Sequence, residues 1–218
     1  LPKIENLSVL EIGGSPGQYL VYLHRNFGYS IACMDYSPIG CHKTRENFTL
    51  LGIDGQVYEA DLFIEISSIP QFDIVYSLGL IEHFKDFDQV IERHLAYVKP
   101  GGMLALGAPN FLGINQFFLK RLAPKLLAKH NLKNMDLDNW IHLEKKFNLR
   151  KIFVGYVGGF HPSLFNRRES KTLVSSFLFT IAKLLVFIFK THFRSLRQYN
   201  SKFFSGYLLG FYVKDHTQ

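Results

Sequence analysis

The sequence contains few cysteines, no repeating glycine period and no stretch of low complexity. Its 218 residues include only Cys33 and Cys41, too few for a disulfide framework and without the second pair that completes a zinc site. Hydrophobic residues make up 47% and charged residues 20%, which excludes a disordered chain. No secretion signal opens the chain, which starts at Leu1 rather than Met. We therefore expect a reducing, cytoplasmic setting and leave open whether a segment precedes it.

Charge is unevenly divided along the chain, whose length suits one domain over residues 1–218. Residues 1–110 carry 7 Lys and Arg against 13 Asp and Glu, a net charge of −6. Residues 111–218 carry 18 against 5, a net charge of +13. The basic half suits nucleic acid, an anionic membrane surface or an acidic substrate, and charge alone does not choose among them.

Hydrophobic periodicity in the first half alternates between short apolar runs and longer helical stretches, which is typical of a parallel sheet with crossover helices. It predicts strands over residues 8–12, 30–34, 56–59, 74–78 and 103–106, with helices over 18–26, 38–51 and 87–98. The second half predicts helices over 115–130 and 137–147, strands over 151–157 and 207–213, and an almost wholly apolar helix near 171–190. The pattern predicts a doubly wound α/β fold.

A glycine-rich turn, EIGGSPG over residues 11–17, follows the first predicted strand. Glycine permits positive φ and close approach of a ligand, and the helix that starts there offers free amides. Asp35 ends the second strand, where a carboxylate can accept both hydroxyls of a ribose. Because Glu11 leads into the turn, the ligand is expected to carry an ammonium or a sulfonium rather than a dinucleotide's pyrophosphate.

These segments resemble the motifs of the class I S-adenosylmethionine-dependent methyltransferases. The family's first motif, acidic-x-Gly-x-Gly-x-Gly, is similar to residues 11–17, with Ser15 in place of the middle glycine. Residues 60–62 (ADL), 72–84 (FDIVYSLGLIEHF) and 98–102 (VKPGG) are similar to three further motifs. The resemblance covers residues 8–109. It implies a Rossmann-like, mostly parallel seven-stranded sheet with helices on both faces and an antiparallel last strand, in which residues 1–110 bind the cofactor and 111–218 shape the acceptor pocket.

By this resemblance the cofactor is S-adenosylmethionine and the product is S-adenosylhomocysteine. The residues implied to bind it are Glu11, Gly13, Gly14, Ser15, Gly17, Asp35, Tyr36, Asp61, Leu62, Ser77, Leu78 and Gly79. Asp35 is expected at the ribose and Asp61 at the adenine, with a helix cap as the alternative for Asp61. Asp73 precedes the fourth predicted strand and is expected to be structural.

His83 is the candidate catalytic residue, because a neutral imidazole can accept a proton from an acceptor hydroxyl. The alternative is a turn histidine packed under the cofactor. No metal is implied, because a related ubiquinone-pathway pattern that is associated with a metal has an acid at the position of Gly79. His130, His142 and His161, with Asn110 and Asn115, are weaker candidates for the acceptor pocket, and ordinary surface or loop roles explain them equally well.

The apolar helix near 171–190 leaves two interpretations open, since a strand that completes the sheet follows it and argues against a membrane span. Basic residues across 167–202 favour an interfacial helix on an anionic membrane, which would place the protein peripherally at the inner membrane face. The rival is burial in the domain or in a homodimer. Nucleic acid is disfavoured as a partner, because the basic residues flank apolar sequence and form no groove with stacking aromatics.

The function that these patterns favour is methyl transfer to a small or lipid-linked acceptor, at oxygen. The alternative is a catalytically silent subunit of the same fold that binds or scaffolds a partner.

Overall fold

The computed structural model describes residues 6–64, 68–159, 172–191 and 199–215. Its strands are β1 Ser8–Ile12, β2 Ser30–Asp35, β3 Gln56–Glu59, β4 Phe72–Leu78, β5 Val98–Pro109, β6 Leu149–Val157 and β7 Tyr207–Lys214. Its α-helices are α1 Gln18–Phe27, α2 Pro38–Leu50, α3 Phe87–Ala96, α4 Gly113–Leu122, α5 Pro124–Ala128, α6 Leu137–Lys146 and α7 Leu173–Thr191. Short 3₁₀ turns lie at Ile81–His83 and Leu132–Met135.

The seven strands form one sheet in the order β3-β2-β1-β4-β5-β7-β6. The strands from β3 to β5 pair in parallel, and β7 pairs antiparallel with both β5 and β6. The predicted doubly wound, mostly parallel sheet with an antiparallel last strand is therefore confirmed. The order reverses between β1 and β4, which opens a crevice at the carboxyl ends of the strands.

Helices cover both faces of this sheet and divide the core into two layers. On one face, α1 and α2 pack Leu20 and Phe48 against the strands. On the other face, helices α3, α4, α6 and α7 pack against the opposite sides of the same strands, with Trp140 fully buried at the centre. This alternation of buried side chains follows from the two-residue period of a strand.

Local sequence explains where the helices beside the crevice begin. Ser37 has extended backbone, and its hydroxyl accepts a hydrogen bond from the Gly40 amide at 3.2 Å, so it caps α2, with Pro38 at the first helical position. Gly17, at φ 77°, precedes α1 in a left-handed conformation that glycine adopts without strain.

The structure differs from the prediction in one helix and in the starts of β4 and β5. The single helix predicted over 115–130 is two helices, because the chain leaves helical geometry at Ala123 and restarts at Pro124, which suits a first helical position. The strand predicted over 103–106 begins at Val98, and its pairing with β4 runs from Phe72 and is irregular before Ile74. Asp73 consequently lies inside β4 and not before it.

Helix α7 packs against α4 and buries only one side. Phe179 and Ala182 lie in the core, whereas Phe177 and Leu184 are 67% and 55% exposed. Among the residues that the structure describes, no helix combines the length and hydropathy of a bilayer-crossing segment.

Candidate functional site

A cleft of about 590 Å³ lies at the carboxyl ends of β1 and β2, beside the turn that follows β4. It is lined by Ile12, Gly13, Met34, Asp35, Tyr36, Ala60, Asp61, Leu62, Phe63, Leu80, His83 and Phe84. Six of the residues predicted from the sequence thus meet in one cavity: Gly13, Asp35, Tyr36, Asp61, Leu62 and His83. Its position at the reversal of strand order is where ligands of doubly wound sheets bind.

The glycine-rich turn borders the cleft and reaches its wall at Gly13. Gly13 has φ 72°, and its amide donates to the Met34 carbonyl at 2.8 Å, which fixes the turn to β2. Ser15, in place of a family glycine, donates its hydroxyl to the Gly40 carbonyl at 3.1 Å. The serine therefore fastens the turn to α2. Gly14, Ser15 and Gly17 are not among the residues that line the cleft.

Glu11 lies beneath this turn, and its implied contact with the cofactor stays a prediction. The residue is 3% exposed and absent from the cleft wall, because its carboxyl group packs directly against Gly14. Burial raises the pKa of Glu11 to about 8, and the neighbouring Tyr76 hydroxyl offsets this only in part. Neither Glu11 Oε2 nor that hydroxyl has a hydrogen-bond partner of good geometry within the described residues.

A buried carboxyl oxygen that has no well-aligned hydrogen-bond partner among the described residues, next to a turn whose Gly14 has no side chain, fits a ligand that brings positive charge. A nearby cation favours the ionised carboxylate and would lower the pKa of Glu11. The residues therefore fit S-adenosylmethionine, whose cationic amino acid part would lie on the other side of the turn from the accepting oxygen of Glu11.

Asp35 ends β2 at the cleft, next to the end of β1. Its Oδ1 accepts a hydrogen bond from the Ser37 amide at 2.9 Å, which orients the carboxylate. The second oxygen, Oδ2, is left for another donor. Tyr36 is 78% exposed on the same rim and offers an aromatic surface.

Asp61 and Leu62 lie on the far wall of the cleft, and the helix-cap alternative for Asp61 is wrong. Asp61 Oδ1 accepts from the Phe63 amide at 2.9 Å within a turn, and residues 61–64 are not helical. The exposed Asp61 and buried Leu62 both line the cleft, in keeping with the predicted adenine site.

The residues at the end of β4, Ser77, Leu78 and Gly79, make contacts within the fold, and their implied contact with the cofactor stays a prediction. Ser77 is buried, and its hydroxyl lies 3.0 Å from Nε2 of His94, whose pKa burial lowers to about 4. Leu78 lines a smaller cavity of about 220 Å³ between α1 and the strands. Gly79, at φ 75°, donates its amide to the Gly107 carbonyl. None of the three lines the cleft.

His83 lies exposed at the mouth of the cleft, and the fold places two further polar residues beside it. The ring of His130 is 4.5 Å from the ring of His83, centre to centre. Glu82 is 2% exposed, its Oε2 has no hydrogen-bond partner among the described residues, and burial raises its pKa to about 7. From the sequence, His130 is only a weaker candidate and Glu82 is not a candidate. The reason is that residues 82 and 130 are far apart in sequence and meet only because the loop after α5 brings them together.

Two asparagines that sequence reasoning missed hold that loop in place. Asn134 is buried and donates to the carbonyls of Ile81 and Phe84 at 2.8 and 2.9 Å. The Asn131 amide donates to the Glu82 carbonyl at 2.7 Å. The 3₁₀ turn that carries His83 is therefore clamped by the segment that follows His130. No local sequence signal marks this clamp.

The other acceptor-side candidates are placed elsewhere. Asn110 and Asn115 are buried and donate to the Ser205 carbonyl at 2.8 and 3.0 Å, so they anchor a loop and do not line the cleft. His142 is exposed on α6 and bonds the Asp138 carbonyl. His161 lies outside the described residues. Asp73 accepts from Ser8 and Lys99, which confirms its structural role.

The strand order, together with a nucleoside-sized cleft and a carboxylate at the end of β2, defines a Rossmann-like methyltransferase of class I. A model of the methyltransferase domain family matches residues 1–173. The chain belongs to this family and is an S-adenosylmethionine-dependent methyltransferase. No curated protein matches the sequence at a significant level.

Solved structures with the same fold include phosphoethanolamine N-methyltransferase 2 of Haemonchus contortus in complex with S-adenosyl-L-methionine. It has a TM-score of 0.64 and 16% identity over 98% of this chain and 50% of that chain, so this chain spans half its length. An S-adenosylmethionine-dependent methyltransferase from Thiobacillus denitrificans, in complex with S-adenosyl-L-homocysteine, has a TM-score of 0.57 and 14% identity over 96% and 86% of the two chains. The YcgJ protein of Bacillus subtilis has a TM-score of 0.64 and 13% identity over 96% and 92%.

Proposed function

We propose that this methyltransferase methylates an oxygen of a small or lipid-linked acceptor, which it meets at an anionic membrane surface. The observation that carries the membrane part is the exposed apolar stripe of α7, defined here as Leu173, Phe177, Leu184 and Phe187. These residues are spaced by four, seven and three positions, so they share one side of the helix, opposite the core residues Phe179 and Ala182.

The charge around the stripe supports an anionic surface as its partner. Helix α7 carries no acidic residue, and residues 167–202 contain eight Lys and Arg and one acidic residue, Glu169. Exposed Lys120 and Arg121 lie on α4, which packs against α7, and Arg121 lies 3.9 Å over the Phe117 ring. Apolar side chains flanked by basic groups are the combination that binds anionic lipid interfaces.

The chemistry at the cleft supports an acceptor that must lose a proton. When bound, S-adenosylmethionine would supply the methyl group and leave as S-adenosylhomocysteine. Asp35 would hold the ribose, and Glu11 would complement the positive charge from beneath the turn. His83 is the imidazole at the cleft mouth, where it can accept the hydroxyl proton of the acceptor.

The test is methyl transfer to fractionated material. The purified chain is incubated with methyl-labelled S-adenosylmethionine and separated lipids, soluble small molecules and nucleic acids, and label is followed into each fraction. We expect label in the lipid or small-molecule fraction, on a base-stable ether or a base-labile ester. Label confined to nucleic acid, or on nitrogen, would contradict the proposed acceptor.

A further inference from the structure

Three potential metal ligands converge at the mouth of the cleft. Each of Glu82, His83 and His130 offers one ligand atom, and these atoms lie within 4.8 Å of one another. Within the described residues this is the single group of three such side chains. The Glu82–His83 pair alone did not predict a metal, because Gly79 supplies no third ligand. The fold supplies one from the other half of the chain, His130.

The environment of each ligand suits a cation. Glu82 Oε2 is buried without a hydrogen-bond partner in the described part of the chain, so a bound cation would satisfy a group that is otherwise costly to bury. His130 Nδ1 lies 2.6 Å from the Leu126 carbonyl, which fixes the proton on Nδ1 and leaves Nε2 with a free lone pair. His83 is exposed, and its ring centre lies 4.5 Å from that of His130.

The surrounding chain is built to keep these residues together. The Asn131 amide donates to the carbonyl of Glu82, and Asn134 clamps both ends of the 3₁₀ turn that carries the first two ligands. Phe111 packs edge-on against the His130 ring, 4.9 Å between centres. A cation bound by three ligands at about 2.1 Å would draw their atoms to about 3.4 Å apart. The three ligand atoms, which lie within 4.8 Å of one another, would therefore move closer together when the cation binds.

We infer that Glu82, His83 and His130 form a binding site for a divalent cation of the zinc type, with an open coordination position facing the cleft. Two imidazoles and one carboxylate are a ligand set that zinc, cobalt and nickel accept, whereas magnesium prefers oxygen ligands alone. Three protein ligands leave a fourth position for water or substrate. With the cation bound, His83 would be a ligand and would not accept the acceptor's proton; an acceptor hydroxyl at the open position would instead lose its proton to solvent, because the cation stabilises the alkoxide.

The direct test is cation binding by the full chain without a histidine tag. After dialysis against Zn²⁺ and then against cation-free buffer, we expect about one zinc per chain by atomic absorption. Cobalt in place of zinc should give visible absorption bands of a nitrogen- and oxygen-ligated site. His130→Gln is expected to weaken zinc binding at least tenfold, and His83→Asn likewise, whereas His142→Gln on α6 should bind as the wild type does.

Folding and cofactor binding are measured on the same variants, so that loss of the site is separable from loss of the fold. Circular dichroism and S-adenosylhomocysteine affinity should be unchanged in His130→Gln, because this residue does not line the cleft. Wild-type chain without bound zinc, or zinc binding that persists in both His130→Gln and His83→Asn, would overturn the inference. Stoichiometric zinc with no methyl transfer to any fraction would support the site and count against the proposed acceptor.

Discussion

The carboxyl group of Glu11 occupies the space that the Cβ of a side chain at Gly14 would need. Position 14 therefore accepts only glycine as long as Glu11 keeps this position. Backbone conformation does not explain this glycine, because Gly14 is not among the residues with positive φ. The neighbouring Glu11 side chain explains it, because it leaves no room for a Cβ. Any Cβ at position 14 must displace either a buried carboxyl group or the cleft wall.

Gly14→Ala is therefore expected to destabilise the fold by about 1–3 kcal/mol, the usual cost of overpacking a dense core. It should also weaken S-adenosylhomocysteine binding, because the turn borders the cleft. Urea unfolding and calorimetric titration measure the two effects. Gly159→Ala is the control, since a Cβ there meets no atom within 4 Å.

The double variant Glu11→Ala with Gly14→Ala tests whether the contact with Glu11 causes the loss of stability in Gly14→Ala. Removing the carboxyl group frees the space, so the double variant should lose less stability than the two single changes would together. If the losses in the free energy of unfolding add, the Glu11–Gly14 contact is not the cause of the destabilisation.

Glu11 should make the protein less stable as the pH rises. Its pKa in the folded protein, about 8, lies above the ordinary 4.5, so between these values the folded state binds more protons than the unfolded state. The free energy of unfolding then falls between pH 4.5 and 8. Glu11→Gln should reduce this fall by up to a few kcal/mol. The measurement is urea unfolding at pH 5 and pH 8, with exposed Glu92→Gln as control. Equal pH slopes in the wild type and Glu11→Gln would refute the argument.

The fold was predictable because it depends on periodicity within each segment. Strand β1 and the cap at Ser37 follow from local sequence, and the observed bounds of β3 equal the predicted ones. The long predicted helix is wrong at Pro124, where the proline ends one helix and begins the next. Local patterns thus located elements better than their ends.

The candidate site was predictable only where one motif supplies the contact. Asp35 and His83 reach the cleft from the ends of their own segments, and the sequence shows this. The partnership of His83 with His130 was not predictable, since 47 residues separate them and the asparagine clamp has no periodic signature. The inward turn of the Ser77 side chain to His94 was also not predictable, because the two residues lie in different elements; the implied backbone contact of Ser77 with the cofactor stays a prediction.

Asp35→Asn is expected to raise the Kd for S-adenosylhomocysteine at least tenfold, since it removes a charge-assisted hydrogen bond to the ribose worth about 1.5–3 kcal/mol. The amide oxygen of asparagine can still accept from the Ser37 amide, so the turn should survive. Calorimetric titration gives the Kd, and circular dichroism checks the fold. Asp54→Asn, exposed in the loop before β3, should bind normally. An unchanged Kd in Asp35→Asn would remove the ribose assignment.

The exposed stripe of α7 should bind vesicles that contain anionic lipid and should not bind neutral ones. Burying a large apolar side chain contributes about 1.5–3 kcal/mol, so Phe177→Ser with Leu184→Ser is expected to weaken partitioning at least a hundredfold. Vesicle flotation measures this, and Ile39→Ser, which removes an exposed apolar residue from α2, is the matched control. Added salt should also weaken binding, because basic residues contribute through screened attraction. A wild-type chain that does not bind anionic vesicles would contradict the membrane proposal. A dimer that only the stripe variants dissociate would contradict it too and would assign the stripe to a second copy of the chain.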